Sequence, residues 1–168
     1  MKKSVYRKWW FWTLLAIILV IIFNFFVATV AIVDGISMEP NFHTGEVHVV
    51  SRWQYNFGSP TRGDVVVVSL NNQRYLNRIV GLPGDRLVIK SGSVFINDKK
   101  INEPYLASGV KTYKLDSSGT PLKDQTITVT VPQGKYFVLG DNRPETIYDS
   151  RTIGEIPIKS IIGVVSKF

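Results

Sequence analysis

From Trp9 to Val33 the chain reads WWFWTLLAIILVIIFNFFVATVAIV, 25 residues with no ionisable group and with Asn24 as the one strongly polar member. Apolar residues fall on every face of the helical period, which suits a helix surrounded by other apolar matter rather than one lying on a protein surface. As a helix the run would reach roughly 37 Å, enough to cross a hydrocarbon layer of about 30 Å with some tilt. We therefore expect one transmembrane helix over 9–33. A cleavable leader, for which Thr29-Val30-Ala31 loosely offers a small-x-small site, is the weaker reading because its apolar region would span only about 7–15 residues.

After Asp34 the period changes. EVHVVSRW alternates and ends in an aromatic, and DVVVVSL is a continuous β-branched run of the kind buried on both faces of a sheet. YLNRIVGL follows the turn LNNQ and stops at Pro83-Gly84. RLVIKSGSVFINDKKI has the form of strand, turn, strand and a further turn, while QTITVTVPQGKYFVLGD supplies two strands around Pro132-Gln133-Gly134. No long helical period follows, apart from a short turn near Pro157 to Ile161. The expected fold is mainly β: a body over 34–168 carried on one N-terminal transmembrane helix. Residues of about 90–133 are richer in polar and turn residues and are read as an inserted subdomain.

Charge sharpens the topology. Lys2, Lys3, Arg7 and Lys8 form a basic tail over 1–8; without them the 20 basic residues fall to 16, against 13 acidic ones, a net of +3. The basic surplus is thus concentrated before the apolar run. That is weak support for nucleic-acid binding, and no nucleic-acid partner is expected. It is what the positive-inside rule asks of a cytoplasmic N-terminus, with Trp9, Trp10 and Trp12 as an interfacial belt and everything after Asp34 outside. The expected location is the cell membrane, single-pass, with the lipid bilayer as one partner. There is no cysteine, so the exported body must hold together through its core rather than through disulfides.

Four short motifs bear on chemistry: GISMEPNF (Gly35 to Phe42), TRGDVVVVSL, YLNRIVGLPGD and LGDNRPETIYDSR (Leu139 to Arg151). Each alone has a plain structural reading as a loop or turn. In this order after an apolar anchor, they resemble the type I signal peptidases of bacteria, serine proteases of the membrane that remove signal peptides from exported proteins. The resemblance runs over the whole chain. It implies a β-sheet catalytic core with an inserted β subdomain, a Ser nucleophile with a Lys general base, cleavage after small-x-small motifs, and no metal or organic cofactor. The implied partners are signal peptides or exported preproteins.

Carried onto this sequence, the resemblance makes Ser37 the nucleophile and its backbone N–H the oxyanion donor. Met38, next to it, is expected to touch lipid. Gly35 stands where some members carry a hydroxyl, as in many Gram-positive relatives, and Pro40 belongs to the same motif. Asn41 replaces a usual Thr. Arg78, Asp141, Asp149 and Arg151 match charged positions that brace the site, and are expected to be structural ion pairs. Asn77 occupies the position of the general-base lysine. A serine hydroxyl is a poor nucleophile unless a neighbour accepts its proton, and an asparagine amide has no protonation step near neutral pH. Five residues, Pro144 to Tyr148, separate GDNR from Asp149, one more than is usual. Thr146 falls where the family has a Ser that orients the lysine. His43 and His48, the only histidines, are expected to be surface or half-buried residues rather than substitute bases, and Arg78 stays protonated. Two readings follow: a signal peptidase with severely impaired hydrolysis, or a non-catalytic homologue that binds or assembles exported surface proteins.

Overall fold

The computed structural model describes residues 3–52 and 58–165, with side chains at 9–21, 29–52 and 58–165. Helix α1, Lys3–Val27, comes first. Among the described residues, which include side chains of α1 only at 9–21, no helix is long and apolar enough to cross a membrane, and the side chains of the basic tail lie outside the described ones. The expected helix also ends sooner than its apolar run: Ala28–Ile32 forms strand β1 instead. The run Ala-Thr-Val-Ala-Ile suits a strand through its β-branched members. Residues 28–32 pair antiparallel with β2 (Val47–Ser51), from Ala28 opposite Ser51 to Ile32 opposite Val47.

The body is mainly β. A seven-stranded sheet runs in the order β1, β2, β13, β3, β4, β11, β12. Its further members are β3 (Val65–Leu70), β4 (Gln73–Gly81), β11 (Lys135–Leu139), β12 (Ile156–Pro157) and β13 (Ile161–Val165). A four-stranded sheet holds β10 (Ile127–Thr130), β5 (Arg86–Lys90), β6 (Ser93–Ile96) and β7 (Lys99–Lys100) in that order. A small ribbon pairs β8 (Lys114–Leu115) with β9 (Pro121–Leu122). The only regular helix after α1 among the described residues, besides a 3₁₀ turn at Ile158–Ser160, is α2, Ser150–Ile153.

Strand β3 is the spine of the large sheet. Val66 and Val68 face a cluster with Ile79, Tyr136, Val138, Ile156, Ile161 and Val164, whereas Val65 and Val67 face a second cluster with Val33, Met38, Phe42, Val50 and Val165. Burial on both sides is what the four consecutive valines demand. The β3–β4 turn uses Asn71 and Asn72 at φ of 49° and 61°, the left-handed region that asparagine tolerates best after glycine. A third cluster joins the two sheets through Val80, Leu87, Ile89, Val94, Ile96, Val131, Phe137 and Leu139. Asp85 fastens the join: it accepts from Leu82 N at 2.7 Å, Arg62 Nη2 at 2.8 Å and Asn97 Nδ2 at 3.0 Å.

Met38 corrects an expectation. It is fully buried with Phe42 under the large sheet rather than exposed toward lipid. The turns over 35–42 fold beneath the sheet edge, with Asn41 N and Phe42 N both donating to Met38 O, so the thioether fills the space below β3.

Candidate functional site

Ser37 sits in the turn region between β1 and β2, half-buried. Gly35, two residues before it, has φ of +104° with open space where a Cβ would point. The glycine is therefore required by backbone conformation, not by crowding. Thr44 Oγ1 donates to Gly35 O at 3.0 Å, and Pro40 follows a cis peptide bond from Glu39.

The loop between β11 and α2 grips this turn. Ser37 O accepts from Asn142 N at 2.9 Å and Thr146 Oγ1 at 3.0 Å. Ile36 O accepts from Asn142 Nδ2 at 3.0 Å. Thr146 Oγ1 also donates to Asn142 O at 2.8 Å, so one hydroxyl ties its own loop to the serine. A Cβ on Gly140 would lie 2.7 Å from that of Thr146. Gly140→Ala is therefore expected to push Thr146 off Ser37 and to cost about 1–3 kcal/mol, read from thermal or denaturant unfolding. In a Thr146→Gly background the same change should cost markedly less; an equal cost in both would show that the two residues do not collide.

Asn77 lies on β4 opposite Val66, with 1% of its surface exposed. Its Nδ2 donates to Tyr148 O at 3.3 Å. Asn77 and Ser37 line one pocket of about 400 Å³, together with Asp34, Arg74, Tyr75, Leu76, Glu145, Thr146, Ile147 and Tyr148. Among the described residues the Ser37 hydroxyl has no hydrogen-bond partner. On the other side of Ser37 a second pocket of about 400 Å³ is lined by residues 29–34 along and beyond β1, with Val50, Val67, Leu76 and Ile162. Its walls are mostly apolar, the kind of surface that accepts small uncharged side chains.

The charged positions form two bidentate pairs. Arg78 Nε donates to Asp141 Oδ1 at 2.8 Å and Nη2 donates to Oδ2. Its Nη1 donates to Gly63 O at 2.8 Å, and the guanidinium lies 4.3 Å from the Tyr105 ring centre. Asn41 Nδ2 donates to both Asp141 Oδ2, at 2.9 Å, and Tyr105 O, at 2.6 Å. Asn41 thus joins the serine turn to this pair. Arg151 binds both oxygens of Asp149 and donates Nη2 to Arg143 O at 2.9 Å and Thr146 O at 2.8 Å. Asp149 also caps α2, accepting from Arg151 N at 2.9 Å, as N-cap carboxylates do.

Sequence reasoning did not single out Arg143, Asn142, Glu103 or Tyr105. Arg143 is the largest fully buried side chain among the described residues. It donates to Gly140 O, Thr112 Oγ1 and Glu103 Oε1, and Tyr105 OH also donates to Glu103, at 2.7 Å. Burial, with the Glu103 carboxylate adding to it, pushes the Tyr105 phenol well above its ordinary value.

His43 and His48 turn to Glu46, not to Ser37: His43 Nδ1 is 3.0 Å and His48 Nε2 2.9 Å from its two oxygens, and neither lines the Ser37 pockets. Hydrogen bonds from the His48 side chain, then the His43 backbone and side chain, bring the Glu46 carboxyl down from 4.5 to about 2. A depressed carboxyl stabilises the fold above its unfolded value, so this contribution is complete above about pH 4.5 and is lost as pH falls through 2. An NMR titration should place the Glu46 midpoint near 2 and show it rising in His48→Ala. An ordinary midpoint in the unaltered chain would refute the arrangement. Among the described residues no cluster of metal-ligating side chains occurs.

Comparison with known proteins gives consistent matches. The family described as signal peptidase, peptidase S26, matches residues 6–168. Signal peptidase I of Bacillus amyloliquefaciens is 38% identical over 167 residues, covering 99% of this chain and 89% of that protein. Signal peptidase IB of Staphylococcus aureus (strain COL) is 36% identical over 173 residues, covering 99% and 90%. A crystal structure of a signal peptidase I from Enterococcus faecalis V583 matches 64% of this chain and 97% of that chain, at 29% identity and a TM-score of 0.51.

Proposed function

Because the chain belongs to the signal peptidase family, peptidase S26, we propose that it engages the signal peptides of exported preproteins at the cleft around Ser37. In this reading Ser37 stands in the place of the nucleophile and Asn77 in the place of the general base. Hydrolysis by the chain as written is severely impaired. The observation that carries this is the lining of the shared Ser37–Asn77 pocket, which among the described residues includes no amine and no imidazole. Loss of general-base assistance costs roughly 10²–10⁴ in rate, and removal of one member of a cooperating nucleophile–base unit costs nearer 10⁶. The mostly apolar pocket along β1 takes the small side chains that precede the scissile bond, and the Ser37 N–H is the oxyanion donor. Arg78 with Asp141, and Asp149 with Arg151, brace the loops around it.

Helix α1 is the membrane anchor in this reading. Its residues from Trp9 to Val27 carry no charge and span about 28 Å as a helix, close to a hydrocarbon thickness of about 30 Å. Trp9, Trp10 and Trp12 are broadly exposed, as an interfacial belt requires. The tail over 1–8 is cytoplasmic and the body, from β1 at Ala28 onward, is outside. Residues of about 90–133 form the inserted subdomain.

The bond from Asn77 Nδ2 to Tyr148 O favours a second reading, a non-catalytic homologue that binds or helps assemble exported surface proteins, because this amide is held by the loop rather than by Ser37. One assay separates the two. The full chain, Asn77→Lys and Ser37→Ala are incubated in detergent with a signal-peptide substrate. Cleavage confined to Asn77→Lys supports the first reading. Peptide binding without cleavage by any of the three supports the second, and vigorous Ser37-dependent cleavage by the unaltered chain overturns both.

A further inference from the structure

A cavity of about 480 Å³ opens between the 139–151 loop and the segment 108–123, and Ser37 takes no part in it. Its charged lining residues are Lys111, Lys123, Arg143 and Arg151, and among the described residues no carboxylate lines it. Lys111 and Lys123 are exposed and enter no ion pair among the described residues. The two guanidinium groups are buried, at 1% and 7% exposure. Arg143 has five N–H groups and spends three, on Gly140 O, Thr112 Oγ1 and Glu103 Oε1. Arg151 Nη1 makes one long bond, 3.3 Å, to Tyr113 O. Each guanidinium therefore keeps N–H groups unspent in a place shielded from water, where a donor without an acceptor is costly. Glu103 and Asp149 offset the two guanidinium charges. The excess left at the cavity is that of the two lysines.

We propose that this cavity binds a dianionic phosphate group, either the free ion or the end of a small organic ester. A phosphate monoester carries close to two negative charges near neutral pH, the number that the lysines leave unmatched. Its three terminal oxygens accept several bonds at once, and guanidinium groups suit them. A carboxylate or a phosphodiester brings one charge only. The volume lies within the range of small-molecule sites, about 300–1,000 Å³, so an organic group fits beyond the phosphorus. Val110, Tyr113 and Pro144 offer it apolar contact.

The site does not depend on Ser37 being a nucleophile, yet it is joined to that turn. Arg143 and Pro144 belong to the loop whose Asn142 and Thr146 donate to Ser37 O. A phosphate held there ties the segment 108–123 to this loop. Because it binds the folded chain, it also raises the unfolding temperature.

The test is calorimetric titration of the full chain in detergent at fixed ionic strength, with inorganic phosphate, phenyl phosphate, dimethyl phosphate and acetate, and with thermal unfolding alongside. Saturable binding of phosphate or phenyl phosphate is expected, with dimethyl phosphate and acetate far weaker. Lys111→Gln combined with Lys123→Gln should weaken it by about tenfold or more, since two charge-assisted bonds are lost. The Lys111 stem packs against Gly92, so Lys123→Glu, a change at an exposed residue, repeats the measurement should the double variant unfold. Tighter binding of phenyl phosphate, by about threefold or more from its ring contacts, assigns an ester. Equal or weaker binding than inorganic phosphate assigns the free ion. Absence of saturable binding, equal binding of dimethyl phosphate, or binding that survives loss of the lysines refutes the site.

Discussion

Replacing Asn77 with lysine is expected to raise Ser37-dependent cleavage of a signal-peptide substrate by about 10²–10⁴-fold, the usual worth of general-base assistance. Position 77 is almost wholly buried on β4. Burial disfavours the charged ammonium and lowers an amine's pKa from about 10.4 toward the working range. The surroundings would also hold the new side chain: Tyr148 O already accepts a bond from position 77. Thr146 Oγ1 lines the same pocket and spends its proton on carbonyl oxygens, leaving lone pairs to accept. The rate should rise with pH as the lysine loses its proton. Asn77→Gln lengthens the side chain without adding a base and should leave the rate unchanged, while Asn77→Lys with Ser37→Ala should abolish it. Comparable rates for Asn77→Gln and Asn77→Lys would mean that reach, not basicity, limits the unaltered chain.

Local pattern carried much of the fold. Four consecutive valines announced a strand buried on both sides, and β3 feeds a separate cluster from each face. The paired asparagines at 71 and 72 announced the hairpin, and both take left-handed backbone. The boundary between α1 and β1 was illegible because an apolar run fits either period. The strand exists through its partner β2, about twenty residues on. Met38 misled for a similar reason: a methionine in a loop near a membrane segment looks exposed until the sheet that covers it is present. In the site, the motif residues were visible as letters, whereas Arg143 was not. It sits among charged loop residues, and Thr112 and Glu103, which satisfy it, lie 31 and 40 residues away.

The largest expected loss of stability comes from Asp141→Ala. Its carboxylate is sealed from solvent and accepts from Arg78 Nε and Nη2 and from Asn41 Nδ2. Without it, a guanidinium still fixed by Gly63 O and the Tyr105 ring is left as a partly buried cation with no counter-charge. Breaking a buried pair in this way costs about 3–5 kcal/mol, a large share of the 5–15 kcal/mol that holds a typical domain folded. Asn41 loses one of its two anchors at the same time, so the serine turn loosens as well as the sheet. Arg78→Lys should also be costly, because an ammonium cannot make the paired bonds to one carboxylate. Removing both charges, as Arg78→Met with Asp141→Leu, should recover much of the loss, since apolar replacements of a buried pair are often near neutral. Guanidinium unfolding of the three variants beside the unaltered chain decides the matter. A cost below about 1 kcal/mol for Asp141→Ala would put the pair in the class of surface bridges, and the 139–151 loop would then have to be held at Ser37 by Asn142 and Thr146 alone.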